Sequence, residues 1–273
     1  MRLLVVGATG RVGRCLRAGW LARPPEGITP VWQTRRAAPE AGWVSWDPLS
    51  GAPVPACDAV LDLAGITPGP GADLGLNARL AAAVTDAAGG RRVLFASSVA
   101  VYGETGPAAD EGRPPRPTSP YGAAKLAAED AVAGRAVILR IGNAIGADAL
   151  QGAVAALAAG AQQIAFDRFP DGGGPRRSCI GPQTLARVLA ALALAPHLPP
   201  VLNVASPGAV DLAAILRAAG VPFVWRPAHP GAVQHAVMDC ALLATLVPLP
   251  PADAARIAAE WRPAPAPVPG AAA

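Results

Sequence analysis

The chain opens on a run of four apolar residues, Leu3 to Val6, that stops at Gly7 and gives way to apolar positions at helical spacing through Leu16 and Trp20. A short continuous apolar run bounded by glycine is the pattern of a strand buried on both faces, and apolar residues returning every turn are that of a helix with one covered face. The alternation recurs. ITPVWQT, AVLDLAG, RRVLFASS and AVILRIG read as further buried strands, and the stretches 77–88 and 120–133 as helices. This rhythm predicts an α/β fold, a doubly wound parallel sheet of Rossmann-like type with ligands at the C-terminal strand ends. It fills residues 1–145, the expected dinucleotide-binding domain. Residues 146–262 are expected to form a small C-terminal substrate-binding lobe with elements that return to the core, and the Pro- and Ala-rich tail 263–273 reads as disordered.

The first strand-to-helix junction carries Gly7, Gly10 and Gly13, a GxxGxxG spacing. A tight turn needs the first glycine, close approach of a pyrophosphate needs bare backbone, and close helix packing needs the last. Thr9, Arg11 and Val12 complete the turn, whose following helix presents its N-terminus to the phosphates. The segment SPYGAAK is the second candidate. Ser119 suits an N-cap and Pro120 the first helical turn, which places Tyr121 and Lys125 one turn apart on the same face. Lys125 is the sole lysine among 22 arginines, and Tyr121 is one of two tyrosines. An ammonium is a compact point charge, unlike a guanidinium, and beside a phenol it is expected to lower the tyrosine pKa toward neutrality.

Composition narrows the class. With 52% hydrophobic and 15% charged residues in 273 positions and no repeat, the chain can bury a sizeable core. Its net charge of +4 comes from scattered arginines, so neither nucleic acid nor a membrane surface is an expected partner. The four cysteines lie far apart without ligand-spaced histidines, which points to no disulfide framework, no metal site and a reducing, cytoplasmic setting.

GxxGxxG, DAVLDLAG, FASSVAVYG, DEGRPPRPTSPYGAAKLAAE and VILRIGNAIG occur in the order found in the extended short-chain dehydrogenase/reductase superfamily, and the chain resembles its NAD(P)-dependent epimerase/dehydratase branch. The resemblance implies an oxidoreductase or epimerase working at a CH–OH/C=O centre of a sugar nucleotide or other small carbonyl compound, often as a homodimer. By it, Tyr121 is the acid/base, Lys125 holds the nicotinamide ribose, and Ser98, four residues before Tyr102, bonds the reacting oxygen. Asn77 matches the family's helix-start Asn, Asp47 its adenine-contacting Asp, and Leu63, Ala64 and Gly65 its cofactor-lining backbone. Asn143 and Arg177 match substrate-binding positions, with Arg226 a weaker phosphate candidate. Ser178, Gly181, Gln183 and Thr184 depart from the usual Asp, His, Asp and Asp, which puts the hydrogen bonds made there in question.

At the end of the second strand Gln33 and Thr34 carry no negative charge for ribose hydroxyls, and Arg35 with Arg36 can pair with a 2′-phosphate, so NADP(H) is favoured over NAD(H). Val99 and Ala100 stand where dehydratases place an Asp-Glu pair, which disfavours dehydration. Tightly bound cofactor and epimerisation form one alternative. A non-catalytic NADP(H)-binding regulatory or assembly protein forms another, although such members usually lose the Tyr or Lys that this chain keeps. Asp62, inside an apolar run, has no role on this reading.

Overall fold

The computed structural model describes residues 1–106, 108–160 and 163–261, so the expected tail 263–273 lies outside the described residues. In chain order the first half contains β1 (Arg2–Val6), α1 (Arg11–Ala22), β2 (Thr29–Thr34), β3 (Trp43–Ser45), β4 (Ala59–Asp62), α2 (Leu76–Ala87), β5 (Arg92–Ser98), α3 (Pro120–Val132) and β6 (Val137–Ile141). The second half contains β7 (Asn143–Ala144), α4 (Ala149–Ala158), β8 (Ala165–Arg168), β9 (Arg176–Arg177), β10 (Cys179–Ile180), α5 (Pro182–Leu194), β11 (Val201–Val204), β12 (Val210–Asp211), α6 (Leu212–Ala218), β13 (Val224–Pro227), β14 (His235–Ala236), α7 (Ala241–Leu246) and α8 (Ala254–Trp261). Seven strands form one sheet in the order β11-β6-β5-β4-β1-β2-β3, and every pairing in it is parallel.

Alternation along the strands explains the two helical layers. Leu3, Val5, Leu61, Leu94, Leu139 and Leu202 share a core with Leu16 and Trp20 of α1 and Leu185, Leu189 and Leu192 of α5. Their neighbours Leu4, Val6, Val60, Val93, Phe95 and Ile138 point the other way, against Val84 and Ala81 of α2 and Ala128 and Val132 of α3. A strand covered on both faces must be apolar at every position, which is why these strands read as runs and not as alternations. The α1–α5 contact is close: a Cβ on Gly19 would lie 2.9 Å from the Ala186 Cβ, and the Trp20 indole donates to the Ala186 carbonyl at 2.9 Å.

The second half divides its elements. β11 extends the main sheet and α5 covers one face of it, while Ile145, Leu150, Val154, Ile164, Ile215 and Trp261 build a separate core among α4, α6 and α8. Ser178 and Thr184 make substitute bonds at the junction. Met238 N–H donates to the Ser178 hydroxyl at 2.8 Å, and Glu260 of α8 accepts from the Thr184 amide at 2.8 Å and its hydroxyl at 2.6 Å, capping α5 from another helix. Gly181 leaves the room for that carboxylate, since a Cβ there would sit 2.3 Å from Glu260 Oε2.

The position of α3 is fixed by a buried polar chain. Glu129 accepts from Arg140 of β6 at 2.7 Å and from the Ser97 hydroxyl of β5. Arg140 also donates to the Tyr102 hydroxyl at 2.9 Å, which lies 2.9 Å from Asn203 Oδ1 of β11, and the Asn203 amide donates to the Ala109 and Asp239 carbonyls. At the helix start, Ser119 caps the Gly122 amide at 3.1 Å, and a Cβ on Gly122 would lie 2.3 Å from the Ala100 carbonyl oxygen. Removing one partner of a buried ion pair strands the other charge. Glu129→Ala is therefore expected to destabilise the protein by about 3–5 kcal/mol, against roughly 0–1 kcal/mol for Glu40→Ala at the exposed Arg17–Glu40 pair, as read from urea unfolding.

Candidate active site

A cleft of about 850 Å³ opens at the C-terminal ends of β1, β4, β5 and β6, within the size range of cofactor and small-molecule sites. Its first wall is the β1–α1 junction. Gly7 adopts φ 76°, and a Cβ on Gly13 would lie 2.4 Å from the Gly7 carbonyl oxygen, so the turn closes only because both lack side chains. Gly10 is the N-cap of α1 and has no side-chain cap, which leaves helix-start amides open beside Arg11 and Val12 at the cleft. Open amides at a helix start suit a phosphate. No acid occupies the first turn, and Arg14, which the sequence reading passed over, also lines the wall and donates to the Thr9 carbonyl at 2.7 Å. Its signal was a cation in a first turn that ordinarily favours acids.

Leu63, Ala64 and Gly65 form the floor, immediately after β4. Asp62 shapes it by accepting from the Ala64 amide at 2.9 Å, and Gly7 packs so near that a Cβ would meet Ala64 N at 2.7 Å. Asn77 works from behind. Its amide group accepts from Ile66 N–H at 3.0 Å and donates to the Ile66 and Leu74 carbonyls, clipping the loop after β4 to α2. It does not line the cleft.

The opposite wall brings Ser98, Tyr121 and Lys125 together. Ser98 ends β5 and accepts from the Ala100 amide at 3.2 Å, with its side chain near enough to the Tyr121 phenol to favour the ionised form, whereas Ser97 turns to Glu129. The expected lowering of the Tyr121 pKa is corrected by the structure. Burial raises it, and the neighbouring Ser98 hydroxyl only partly opposes the rise, because the Lys125 ammonium is directed at the Ala96 carbonyl and lies 4.5 Å from the centre of the Phe95 ring. Lys125 itself is pulled from 10.5 down to about 8 by burial, against the raising effect of Asp62 and Glu129.

Beyond them lie Asn143 and Arg177. The Arg177 guanidinium donates to the Val233 and Gln234 carbonyls at 2.7 Å and has no carboxylate partner among the described residues, so its charge is available to the cleft. Asn143 donates to Asp148 at 3.3 Å. Asp148, which caps α4 and lines the cleft, went unnoticed in the sequence because a single Asp after a turn is ordinary; burial raises its pKa, with the Asn143 bond opposing.

Of the expected cofactor contacts, Gly7, Thr9 and Gly13 shape the turn without lining the cleft, as Asn77 shapes the loop, and Arg35, Arg36 and Asp47 stand outside it. Arg35 and Arg36 are exposed just after β2, and Asp47 uses a carboxylate oxygen to cap the turn Pro48–Ser50 through the Leu49 amide at 3.0 Å. Gln33 is buried and committed, accepting from Gly7 N–H at 2.9 Å and donating to the Trp46 carbonyl at 2.5 Å. Arg226 pairs with Asp167 at 2.7 Å on the exposed β8–β13 ribbon, away from the cleft.

The profile of the NAD dependent epimerase/dehydratase family matches residues 3–177. The chain belongs to that family. Solved structures similar to this family member include MoeE5 in complex with UDP-glucuronic acid and NAD, at 23% identity and TM-score 0.75 over 95% of this chain and 97% of that one. UDP-glucuronic acid 4-epimerase from Bacillus cereus, in complex with UDP-glucuronic acid and NAD, is 18% identical with TM-score 0.74, covering 96% and 98%. UDP-glucose 4-epimerase from Thermus thermophilus, complexed with NAD, is 25% identical with TM-score 0.72, covering 97% and 100%. A comparison with curated proteins gave no match. Among the described residues no helix is long and apolar enough to cross a membrane, and no cluster of His, Cys, Asp and Glu suits a metal ion.

The glycine turn of this family member can be tested directly. Gly13→Ala forces a Cβ into the Gly7–Ala8 backbone and is expected to cost about 1–3 kcal/mol in thermal or urea unfolding. Gly51→Ala, in an open turn, meets no atom within 4 Å and is expected to cost less, through its positive φ alone.

Proposed function

We propose that this family member is an NAD(P)-dependent oxidoreductase that interconverts a secondary alcohol and a carbonyl on a phosphate-bearing small molecule. The observation that carries the reading is the convergence of Ser98, Tyr121 and the buried Lys125, one helical turn from Tyr121, on one wall of a cleft opposite an uncapped helix start. The residues fit a dinucleotide: open α1 amides for its phosphates, the Leu63–Gly65 backbone along its length and the Lys125 ammonium for a ribose hydroxyl. When bound, the nicotinamide supplies hydride exchange with the substrate carbon.

The protein's part is proton transfer and orientation. In the reducing direction the carbonyl oxygen accepts the phenolic proton of Tyr121 as its carbon gains hydride, leaving an alcohol and a tyrosinate. Burial raises the Tyr121 pKa and so keeps the donating form stocked at neutral pH. Ser98 fixes the oxygen's approach, and Lys125, reaching from the same helix to the Ala96 carbonyl, holds a ribose hydroxyl beside the reacting groups. Arg177, with no carboxylate partner among the described residues, supports a substrate that carries phosphate. Only uncharged Val99 and Ala100 follow Ser98 in the cleft, so the acid/base pair that an elimination needs is not supplied there.

NADP(H) is the preferred cofactor on this reading. The committed amide of Gln33 offers ribose hydroxyls no carboxylate, and Arg35 and Arg36 lie exposed at the end of β2. A second reading, epimerisation of a sugar nucleotide with retained cofactor, is favoured by the similarity to the two 4-epimerases.

Incubating the protein with UDP-sugars and small ketones, with NADH or NADPH present, separates these readings. Net reduction consumes reduced nicotinamide stoichiometrically, whereas epimerisation interconverts sugars without consuming it. Tyr121→Phe is expected to lower turnover by about 10²–10⁴-fold with little change in cofactor affinity, and unchanged turnover would sink the proposal. NADPH is expected to bind more tightly than NADH, with the gap narrowed in the Arg35→Ala/Arg36→Ala double variant. Equal affinities in the parent protein would overturn the cofactor preference.

A further inference from the structure

Asp62 is fully buried at the end of β4, and the proposed chemistry does not use it. It pairs in register with Val6 of β1 and Phe95 of β5, both of which face α2 and α3, so its side chain lies on the face that α3 covers. One oxygen accepts from the Ala64 amide; Oδ2 is buried with no partner. On the neighbouring strand, Phe95 and the Ala96 carbonyl receive the Lys125 ammonium, and a Cβ placed on Gly65 would be 3.9 Å from that nitrogen.

The charges on this face are few. Glu129 is the other carboxylate near Lys125, but it is bound by Arg140 and the Ser97 hydroxyl. From α2 comes the neutral Asn77 amide, held against the same loop, and from α3 the Tyr121 phenol. Lys125 has no direct ion pair among the described residues. Thus Asp62 is a buried carboxyl with no cation of its own, one strand from a buried ammonium with no anion of its own.

We infer that Asp62 is a positioning residue for Lys125, the buried counter-charge that keeps the active-site lysine protonated and directed along the cleft floor. The inference rests on the reading of Lys125 given above and extends it. Burial moves the two groups toward each other, Asp62 up from 3.8 to about 7 and Lys125 down from 10.5 to about 8. Asp62 ionises as pH rises through about 7, and Lys125 then loses its proton near 8. Each charged form favours the other, so the carboxylate and the ammonium support one another's ionisation. Without the carboxylate, desolvation acts on the lysine with less opposition, so its pKa falls further and the ammonium is lost at lower pH.

The single lysine makes the test direct, because protein grown on lysine labelled with ¹³C at Cε gives one side-chain resonance from the folded chain. In the parent protein that resonance should titrate near 8, with an inflection near 7 as Asp62 ionises. Asp62→Asn keeps an oxygen for the Ala64 amide and should shift the lysine titration down by about one pH unit or more. The pH above which cofactor affinity declines should fall with it. A parent lysine that titrates near its unperturbed value of about 10.4 would falsify the inference without any variant. So would an Asp62→Asn titration superimposable on the parent's. The spectrum needs neither cofactor nor turnover, so an inactive protein with the shifted titration still upholds the Asp62 assignment.

Discussion

The buried contact between Glu129 and Arg140 is the constraint on which the site depends. It joins the helix that carries Tyr121 and Lys125 to the strand beside β5, and through Ser97, Tyr102 and Asn203 it reaches three more segments. An ion pair of this kind adds little net stability, since desolvation cancels much of its attraction. Its value is specificity. A helix rich in alanine has few bulky side chains to key its rotation and rise against the sheet, and α3 presents Ala123, Ala124, Ala127, Ala128 and Ala131. The directional bonds at Glu129, the Ser119 cap and the contact of Gly122 with the Ala100 carbonyl supply that key. Tyr121 and Lys125 then fall one turn apart at fixed depth.

The lone lysine gains its meaning from this setting. Elsewhere in the chain an arginine answers each need for positive charge, at the exposed Arg17–Glu40 pair and within the buried network alike. At position 125 the cation must lie over the Phe95 ring, reach the Ala96 carbonyl and leave space beside Gly65. A guanidinium is broader, remains charged in any surroundings and needs several acceptors in its plane. An ammonium accepts the narrow place and titrates in a range that burial and Asp62 can tune.

The glycine turn, the buried strand runs and the SPYGAAK helix were legible because each is a local pattern whose physics is complete within a few residues. The helices at 76–87 and 120–132 fall within a residue of the stretches read from spacing alone. Residues whose part depends on distant segments were not legible in that way. Asn77, matched to a helix-start position, proves to clip the loop after β4; Asp148 looked like nothing and lines the cleft. Gln33 read as a missing acid, and the fold spends it on Gly7 and Trp46. The hydrogen bonds put in question at Ser178 and Thr184 are replaced by Met238 and Glu260, partners some sixty and seventy-six residues away.

By itself the sequence determined the fold class, the glycine turn after the first strand and the pairing of a tyrosine with a lysine on one helical face, since backbone geometry and side-chain periodicity are set by neighbours in the chain. The tertiary structure decided which groups are charged and where they point. Burial raised the Tyr121 and Asp62 pKa values and lowered that of Lys125, turned the ammonium onto Ala96 and paired Glu129 with Arg140. The cost of desolvating a charge and the reach of its field depend on what the whole fold packs around it, and no local stretch of sequence carries that information.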